Sequence, residues 1–386
     1  MKNYDVTFVL PGGALIPPPA GGVDVVFRLA HALNKSGIKT SIIFCPRPLI
    51  NMDENLGRLP IYMELFAKIF KGQRIGLLVH HLNLISSLLW KQDYDYDILN
   101  GIDTFIARKA GEVNLGTRII FATYWSTAYF VRQFTDIVPS VPFYLIQHWE
   151  GDPSFSVNLS TYANETYEFD FNKVVTNRKV LEMFKNDSPL FFNVGIDTKF
   201  YQMITPLEGR EKSVLIPFRR NESKGLIYAI ECVEKLLSFD STIKIIAFGD
   251  LPAREIPGKI ADRLEYYRYP TRKQLRNLYN RAKVFVLPSL VEGMSLVALE
   301  AMACGSAVVS TDNGGVNEYI ENGVNGLICP VKNAKCLFEK VIFLLSHDHE
   351  RNRMIECGLK TVEIFSNSKM EESFTKIVQD YLANTH

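Results

Sequence analysis

Leu290-Val291-Glu292-Gly293-Met294-Ser295-Leu296-Val297-Ala298-Leu299-Glu300-Ala301-Met302-Ala303-Cys304-Gly305 places two carboxylates eight positions apart, and Glu-Gly-Met-Ser opens a helix-like run. On a continuous helix, eight steps leave the two side chains about 80° apart. A cleaner reading puts Glu292 in the entry loop and Glu300 about two turns inside the helix. The backbone N–H groups of Gly293, Met294, Ser295 and Leu296 are then the open donors of a helix start, which favours an anion such as phosphate. A phosphate cradle with a carboxylate on either side suits a ligand with a diphosphate centre and hydroxyl-rich ends. A nucleotide sugar has that outline.

The surrounding chain alternates apolar strand-like runs with helical periodicity. Val214–Ile216, Ile243–Phe248, Val284–Pro288 and Ala307–Val309 read as buried parallel strands, with helices over Leu226–Phe239 and Lys273–Arg281 between them. The same alternation occurs earlier. Val6–Leu10 is a strand, Val23–Ser36 a helix stopping at Gly37, and Thr40–Phe44, Arg118–Ala122, Pro142–Ile146 and Lys173–Val175 are further strands. The reading is an α/β chain with two tandem Rossmann-like domains facing across a cleft. The boundaries are 1–192 for the first domain and 193–366 for the second. A final helix within 367–386 packs back on the first, after the polar break Ser366-Asn367-Ser368. Asn193–Asp197 is the linker, and cleft closure there would shield a bound donor from water.

Composition narrows the classes. A chain of 386 residues, 47% hydrophobic and 22% charged, is a folded protein too long for one core. A net charge of +1 supplies no field to recruit nucleic acid. Met1–Asp5 runs straight into a strand without a signal-peptide pattern, which gives an expectation of a cytoplasmic protein, including the inner face of the membrane. Cysteines 45, 232, 304, 329, 336 and 357 form no CxxC pair and are expected to be free thiols of a reducing compartment. The longest apolar run, Ile75–Trp90, is too short to span a bilayer. Its flanking Lys68, Lys71, Arg74 and Lys91 leave two readings for the 60–91 region: a peripheral contact with anionic lipid, or buried helices with charged edges.

With these pieces in place, the chain resembles the retaining GT-B glycosyltransferases of family 4. The resemblance is dense over about 193–332. Glu292-x7-Glu300 is accompanied by Asn193-Val194-Gly195-Ile196-Asp197 with Phe200, by Arg219 and Lys224-Gly225, by Pro288-Ser289, and by Gly314-Gly315-Val316-Asn317-Glu318 with Gly323, Asn325 and Gly326. It is looser over 1–190, where Gly21-Gly22 and His148 are the main matches. Phe218 stands where the family usually has Gly, Arg220 offers a second guanidinium, and Met294-Ser295 replaces the commoner Phe-Gly.

The resemblance implies transfer of a sugar from a nucleoside-diphosphate sugar to a glycan or lipid-linked acceptor, with retention at the anomeric carbon. Arg219 and Lys224 would hold the departing diphosphate, as fixed cations should where charge develops. Glu300 would accept hydrogen bonds from the ribose diol, and Glu292 would hold hydroxyls of the transferred sugar. Gly22 would join Gly293, Met294, Ser295 and Leu296 around the phosphates, with Gly21 on the acceptor side; Gly12-Gly13 is a competing pair. His148, in Gln147-His148-Trp149-Glu150-Gly151 just after a strand, would reach the donor sugar. Trp149 and Glu150 are acceptor-side candidates, with Asp152 beside them.

No cofactor is expected, and metal should be dispensable. Asp93-Tyr94-Asp95-Tyr96-Asp97 reads as a solvated segment before an Ile98-Leu99 strand rather than a cation site, and His347-x-His349 lacks further ligands. The alternative activity is a GT-B-type nucleotide-sugar epimerase. A dinucleotide oxidoreductase is disfavoured because no G-x-G-x-x-G follows the first strand.

Overall fold

The computed structural model describes residues 2–11, 21–45, 96–151 and 157–384. The 60–91 region, Gly12-Gly13, Asp93–Asp95 and Asp152 lie outside these residues. The chain divides into two compact units. Unit 1 is Met1–Asn193 with Met370–His386, and unit 2 is Val194–Lys369.

Among the described residues, unit 1 holds a seven-stranded sheet. Its strands are β1 (Lys2–Pro11), β2 (Thr40–Cys45), β3 (Asp103–Ile106), β4 (Leu115–Ala122), β5 (Val141–Ile146), β6 (Asn172–Val175) and β7 (Leu190–Phe191). They pair in parallel in the order β3-β2-β1-β4-β5-β6-β7. The central strands are apolar because helices cover both faces of such a sheet: Val6, Phe8, Ile42, Ile120, Phe121, Tyr144 and Ile146 are fully buried. The last helix, Asn367–Asn384, carries Met370, Phe374, Val378 and Tyr381 along one stripe. Phe374 packs on Phe8, Phe121 and Phe192, with centroids 6.1, 5.6 and 5.2 Å away, and Tyr381 meets Phe143 edge-on at 4.9 Å.

Unit 2 has six strands: β8 (Ser213–Phe218), β9 (Lys244–Gly249), β10 (Leu264–Arg268), β11 (Val284–Leu287), β12 (Ala307–Thr311) and β13 (Leu327–Cys329). They run parallel in the order β10-β9-β8-β11-β12-β13. The order reverses between β8 and β11, so the loops leaving those two strands diverge to opposite faces and open a crevice at their carboxyl ends. In a doubly wound sheet, ligands bind at that point. Ile196 bridges to Ser366 through Ile196 N–H to Phe365 O (2.9 Å) and Asn367 N–H to Ile196 O (2.8 Å), so the segment entering unit 2 is zipped to the one leaving it.

Three expectations are corrected. Ile98-Leu99 is not a strand but part of a tight 3-10 turn, Tyr96–Leu99; the strand is β3, which pairs with β2 through Ile42↔Thr104. Gly21 and Gly22 do not lie in the loop between β1 and the helix; they are the first residues of the helix Gly21–Lys35. Cys329 and Cys336 are not free thiols but form a disulfide with Cα atoms 5.8 Å apart. The end of β13 and the first turn of the helix Ala334–Ser346 fold together, bringing the two thiols within reach without a CxxC spacing.

Candidate functional site

The crevice of unit 2 is assembled from three loops, those leaving β8, β11 and β12. The β8 loop runs from exposed Arg219 and Arg220 to Gly225. Asn221 holds it, its Oδ1 accepting from the N–H (2.9 Å) and hydroxyl (2.8 Å) of Ser223. The Ser223 carbonyl accepts the N–H of Leu290 (2.7 Å), tying the β8 loop to the β11 loop. Gly225 sits at φ +67°, and a side-chain carbon there would fall 2.0 Å from the Pro288 carbonyl oxygen. Only glycine permits that approach.

The third loop is organised by Asn313. Its carbonyl accepts the N–H of Glu292 (2.9 Å), and its side-chain oxygen accepts from Gly315 N–H (3.0 Å), Val316 N–H (3.2 Å) and the Ser295 hydroxyl (3.3 Å). Gly315 lies against Glu292 and Gly293 so closely that an added Cβ would be 2.9 Å from Glu292 Cβ. The result is a fixed shape for residues 292–295 before any ligand arrives.

Lys224 and Glu292 are brought together: Lys224 Nζ donates to Glu292 Oε2 at 2.8 Å, and the Ser289 hydroxyl donates to Oε1 at 2.8 Å. The helix that follows spans Leu296–Ala303, so Glu300 is its fifth residue and stands about one turn inside, not two. Tyr279, fully buried on the helix Arg272–Arg281, donates its hydroxyl to Glu300 Oε2 at 3.0 Å. Burial, reinforced by the adjacent Glu300 charge, pushes the Tyr279 phenol well above its ordinary value, so it stays protonated and able to donate to Glu300.

The helix Leu296–Ala303, like Leu226–Phe239 after Gly225, begins without the side-chain cap that two of its neighbours have. Arg272–Arg281 starts with a reciprocal Thr271–Gln274 capping box, and Ala334–Ser346 with the Asn333 side chain on Cys336 N–H (2.9 Å). At Leu296–Ala303 a serine occupies the capping position, yet makes no cap bond. Ser295 is at φ +56°, in the left-handed region, and its hydroxyl turns to Asn313 instead. The helix start is left without a side-chain cap, next to Lys224, as an anion site requires.

Of the two arginines, Arg220 is engaged elsewhere. Its N–H bonds Asp250 (2.9 Å) and its guanidinium pairs with Glu255 (2.5 Å). Arg219 makes no ion pair among the described residues. Sequence reasoning missed Asn313 and Tyr279, and quoted Ser289 beside the first Glu without giving it a role. Asn313 was signalled by the Asn-Gly-Gly turn chemistry; Tyr279 carried no signal, being one apolar position on a helix.

The unit 1 candidates gather at the exit of β5. Gln147 Nε2 donates to Gly22 O (3.0 Å), joining that exit to the start of the Gly21–Lys35 helix, where Gly21 and Gly22 are exposed. His148 and Trp149 are half-buried, and Trp149 meets Tyr167 edge-on at 6.2 Å. Glu150 is corrected as an acceptor-side group. It is 7% exposed, and its Oε2 accepts the N–H of Trp125 (2.6 Å) and the hydroxyl of Tyr144 (3.1 Å). Its carboxyl is committed inside unit 1. No group of three or more metal-ligating side chains occurs among the described residues. None of the described helices is long and apolar enough to cross a membrane.

Residues 197–361 match the family "Glycosyl transferases group 1". One similar curated protein is an N,N'-diacetylbacillosaminyl-diphospho-undecaprenol alpha-1,3-N-acetylgalactosaminyltransferase of Campylobacter jejuni. It is 32% identical over 113 residues, 29% of this chain and 30% of that protein. The chain spans between 30% and 45% of the length of the first curated relatives it matches. Among solved structures, sucrose-phosphate synthase of Thermosynechococcus elongatus superposes with a TM-score of 0.71 at 15% identity, covering 100% of both chains. The Anabaena protein HepE, in complex with UDP and glucose, superposes with a TM-score of 0.68 at 15% identity, covering 98% of this chain and 100% of the other. The fold is GT-B, two tandem Rossmann-like domains.

Proposed function

We propose, from the glycosyl transferases group 1 domain at residues 197–361, that the chain moves a sugar from a nucleoside-diphosphate sugar to a glycan or lipid-linked acceptor, with retention and without a metal. The observation that carries the reading is the juxtaposition, at the sheet's switch point, of Lys224, Glu292 and a helix start with no side-chain cap. UDP in the HepE structure and the undecaprenol-linked substrate in the Campylobacter relative's name support the donor and acceptor classes.

In this mechanism the diphosphate lies against the N–H groups of residues 293–296, with Arg219 and Lys224 on its oxygens. Those fixed donors stabilise the charge that develops as the sugar–phosphate bond breaks. Lys224 has three N–H donors, so it can keep Glu292 and take a phosphate oxygen together. Glu300, to which Tyr279 donates, accepts from the ribose diol. Glu292 receives hydroxyls of the transferred sugar. No side chain is required as nucleophile; the departing phosphate takes the acceptor's proton.

The test is a thermal-shift panel of UDP-, GDP-, ADP- and dTDP-sugars on the full chain. Incubation of the selected donor with lipid-linked and glycan acceptors follows, with NMR of the anomeric linkage. An α-donor should give an α-linked product. An inverted linkage removes the retaining assignment, and a new nucleotide sugar formed from donor alone removes the transferase assignment.

A further inference from the structure

Ser295 stands in a backbone conformation that a serine does not favour. Its φ is +56° and its ψ +54°, the left-handed region, where a side chain crowds the following carbonyl oxygen. The residue is the last before the helix Leu296–Ala303. Two bonds from the segment after β12 hold it there. The Ser295 hydroxyl donates to Asn313 Oδ1 (3.3 Å), and the Tyr319 hydroxyl donates to the Ser295 carbonyl oxygen (2.8 Å). The first is long for a hydroxyl; the second has full hydrogen-bond length.

Tyr319 is itself fixed. It is buried, and its ring meets Phe365 edge-on at 5.9 Å. Its carbonyl accepts from Asn325 Nδ2 (2.8 Å), which also donates to Thr361 (2.9 Å) on the helix Asp348–Val362. Burial, with the charges of Glu292 and Glu300 added, pushes the phenol well above its ordinary value, so the hydroxyl keeps its proton and donates.

The direction of the Ser295 carbonyl matters because a peptide unit is planar and trans. The carbonyl points down the helix, where it also accepts the N–H of Ala298 (3.0 Å). The N–H of Leu296 lies in the same plane and therefore points the opposite way, out of the helix mouth. It is one of the donors that the transferase reading sets on the diphosphate. Without the Tyr319 bond, the Ser295 backbone relaxes toward negative φ and turns this peptide. A ligand then has to restore the left-handed form, and its affinity falls with the fraction of molecules that still hold it.

We propose that Tyr319 is a positioning residue for the donor diphosphate: its hydroxyl holds the Ser295 carbonyl and so aims the Leu296 N–H at the phosphates. The inference rests on the transferase reading for its ligand and deepens it by adding a residue that acts through Ser295.

The experiment uses the full chain, wild type and Tyr319→Phe. The ligands are the nucleoside diphosphate of the donor that the thermal-shift panel selects and the matching nucleoside, which lacks the phosphates. Tyr319→Phe keeps the ring in its pocket, and the Ser295 carbonyl keeps the Ala298 N–H, so the variant should fold. It should bind the nucleoside diphosphate about fivefold more weakly than the wild type, the worth of one neutral hydrogen bond. Nucleoside affinity should be the same in both. A second readout follows the peptide itself. Labelling with 13C-carbonyl serine and 15N-leucine selects the amides of Ser87-Leu88, Ser289-Leu290 and Ser295-Leu296, and the last is the signal lost in Ser295→Gly. In the wild type this signal should move on saturation with the nucleoside diphosphate and stay in place with the nucleoside. Equal diphosphate affinity in the two proteins, an equal loss for both ligands, or a Leu296 amide that the diphosphate does not move overturns the proposal and leaves the transferase reading standing. A wild type that binds none of the nucleoside diphosphates removes that reading, and the proposal with it.

Discussion

At the scale of single residues, the ion pair of Lys224 and Glu292 is the informative contact. A lysine paired with a carboxylate is already oriented, and its remaining donors are aimed by that pairing. The second carboxylate is prepared differently, by the buried Tyr279 hydroxyl. Tyr279→Phe should leave the fold intact while removing one hydrogen bond that orients Glu300, lowering nucleoside-diphosphate affinity by about 1 kcal/mol, roughly fivefold. Calorimetry with the selected nucleotide checks this; an unchanged Kd means Tyr279 does not set the Glu300 geometry. The charged residues were legible in the sequence because their types and spacing carry the chemistry. Their supports were not. Tyr279 reads as core, and the choice between Arg219 and Arg220 turns on Asp250 and Glu255, which lie beyond a strand and a helix.

At the scale of elements, close backbone approach decides the site. Gly225 is held at positive φ against the Pro288 carbonyl. Gly225→Ala should cost at least about 2 kcal/mol, from left-handed strain and from separation of the β8 and β11 loops. The urea midpoint should fall and nucleotide affinity with it; wild-type values for both would contradict the loop arrangement. Arg210 supports the C-terminal end of the helix Leu296–Ala303. Nearly buried and paired with no carboxylate among the described residues, it donates to the carbonyls of Thr205, Ala282, Cys304 and Gly305 at 2.7–3.0 Å, gathering the ends of two helices. Burial lowers its guanidinium to about 10, still charged at neutral pH. Arg210→Met should destabilise by about 3 kcal/mol, since four carbonyls lose their donor; a variant within 0.5 kcal/mol of wild type on the denaturant curve would contradict that role. Central strands were readable as apolar runs. β3, β10 and β13 were not, because they are short and lie at the sheet edges, and in β3 and β10 polar residues interrupt the pattern. Ser295 misleads in the opposite sense: serine before a helix signals a cap, and here backbone geometry denies one.

At the scale of the whole molecule, the tandem α/β architecture follows from the repeated alternation of strand and helix. Covalent and ionisation features do not. The Cys329–Cys336 link needed the turn between β13 and the next helix, which spacing alone does not reveal. Reducing it should lower stability by about 2 kcal/mol, the loop-closure value for so short a ring; a thermal midpoint indifferent to dithiothreitol would deny the bond. The raised Glu150 group sets a pH dependence of definite sign. Because the folded state holds the proton more tightly, its contribution is complete below the ordinary carboxyl value of 4.5 and is lost as the pH climbs to about 8. The wild-type midpoint should decline across that window relative to Glu150→Gln; parallel curves would mean the carboxyl ionises normally. The central claim, that unit 2 grips a diphosphate at its switch point, is tested most directly by calorimetry of UDP, GDP, ADP and dTDP against the wild type and Lys224→Ala. One of the four should bind the wild type at a single site, and the variant should bind it at least about tenfold more weakly, the loss of one charge-assisted bond. No heat with any nucleotide, or equal affinity for the two proteins, would contradict it.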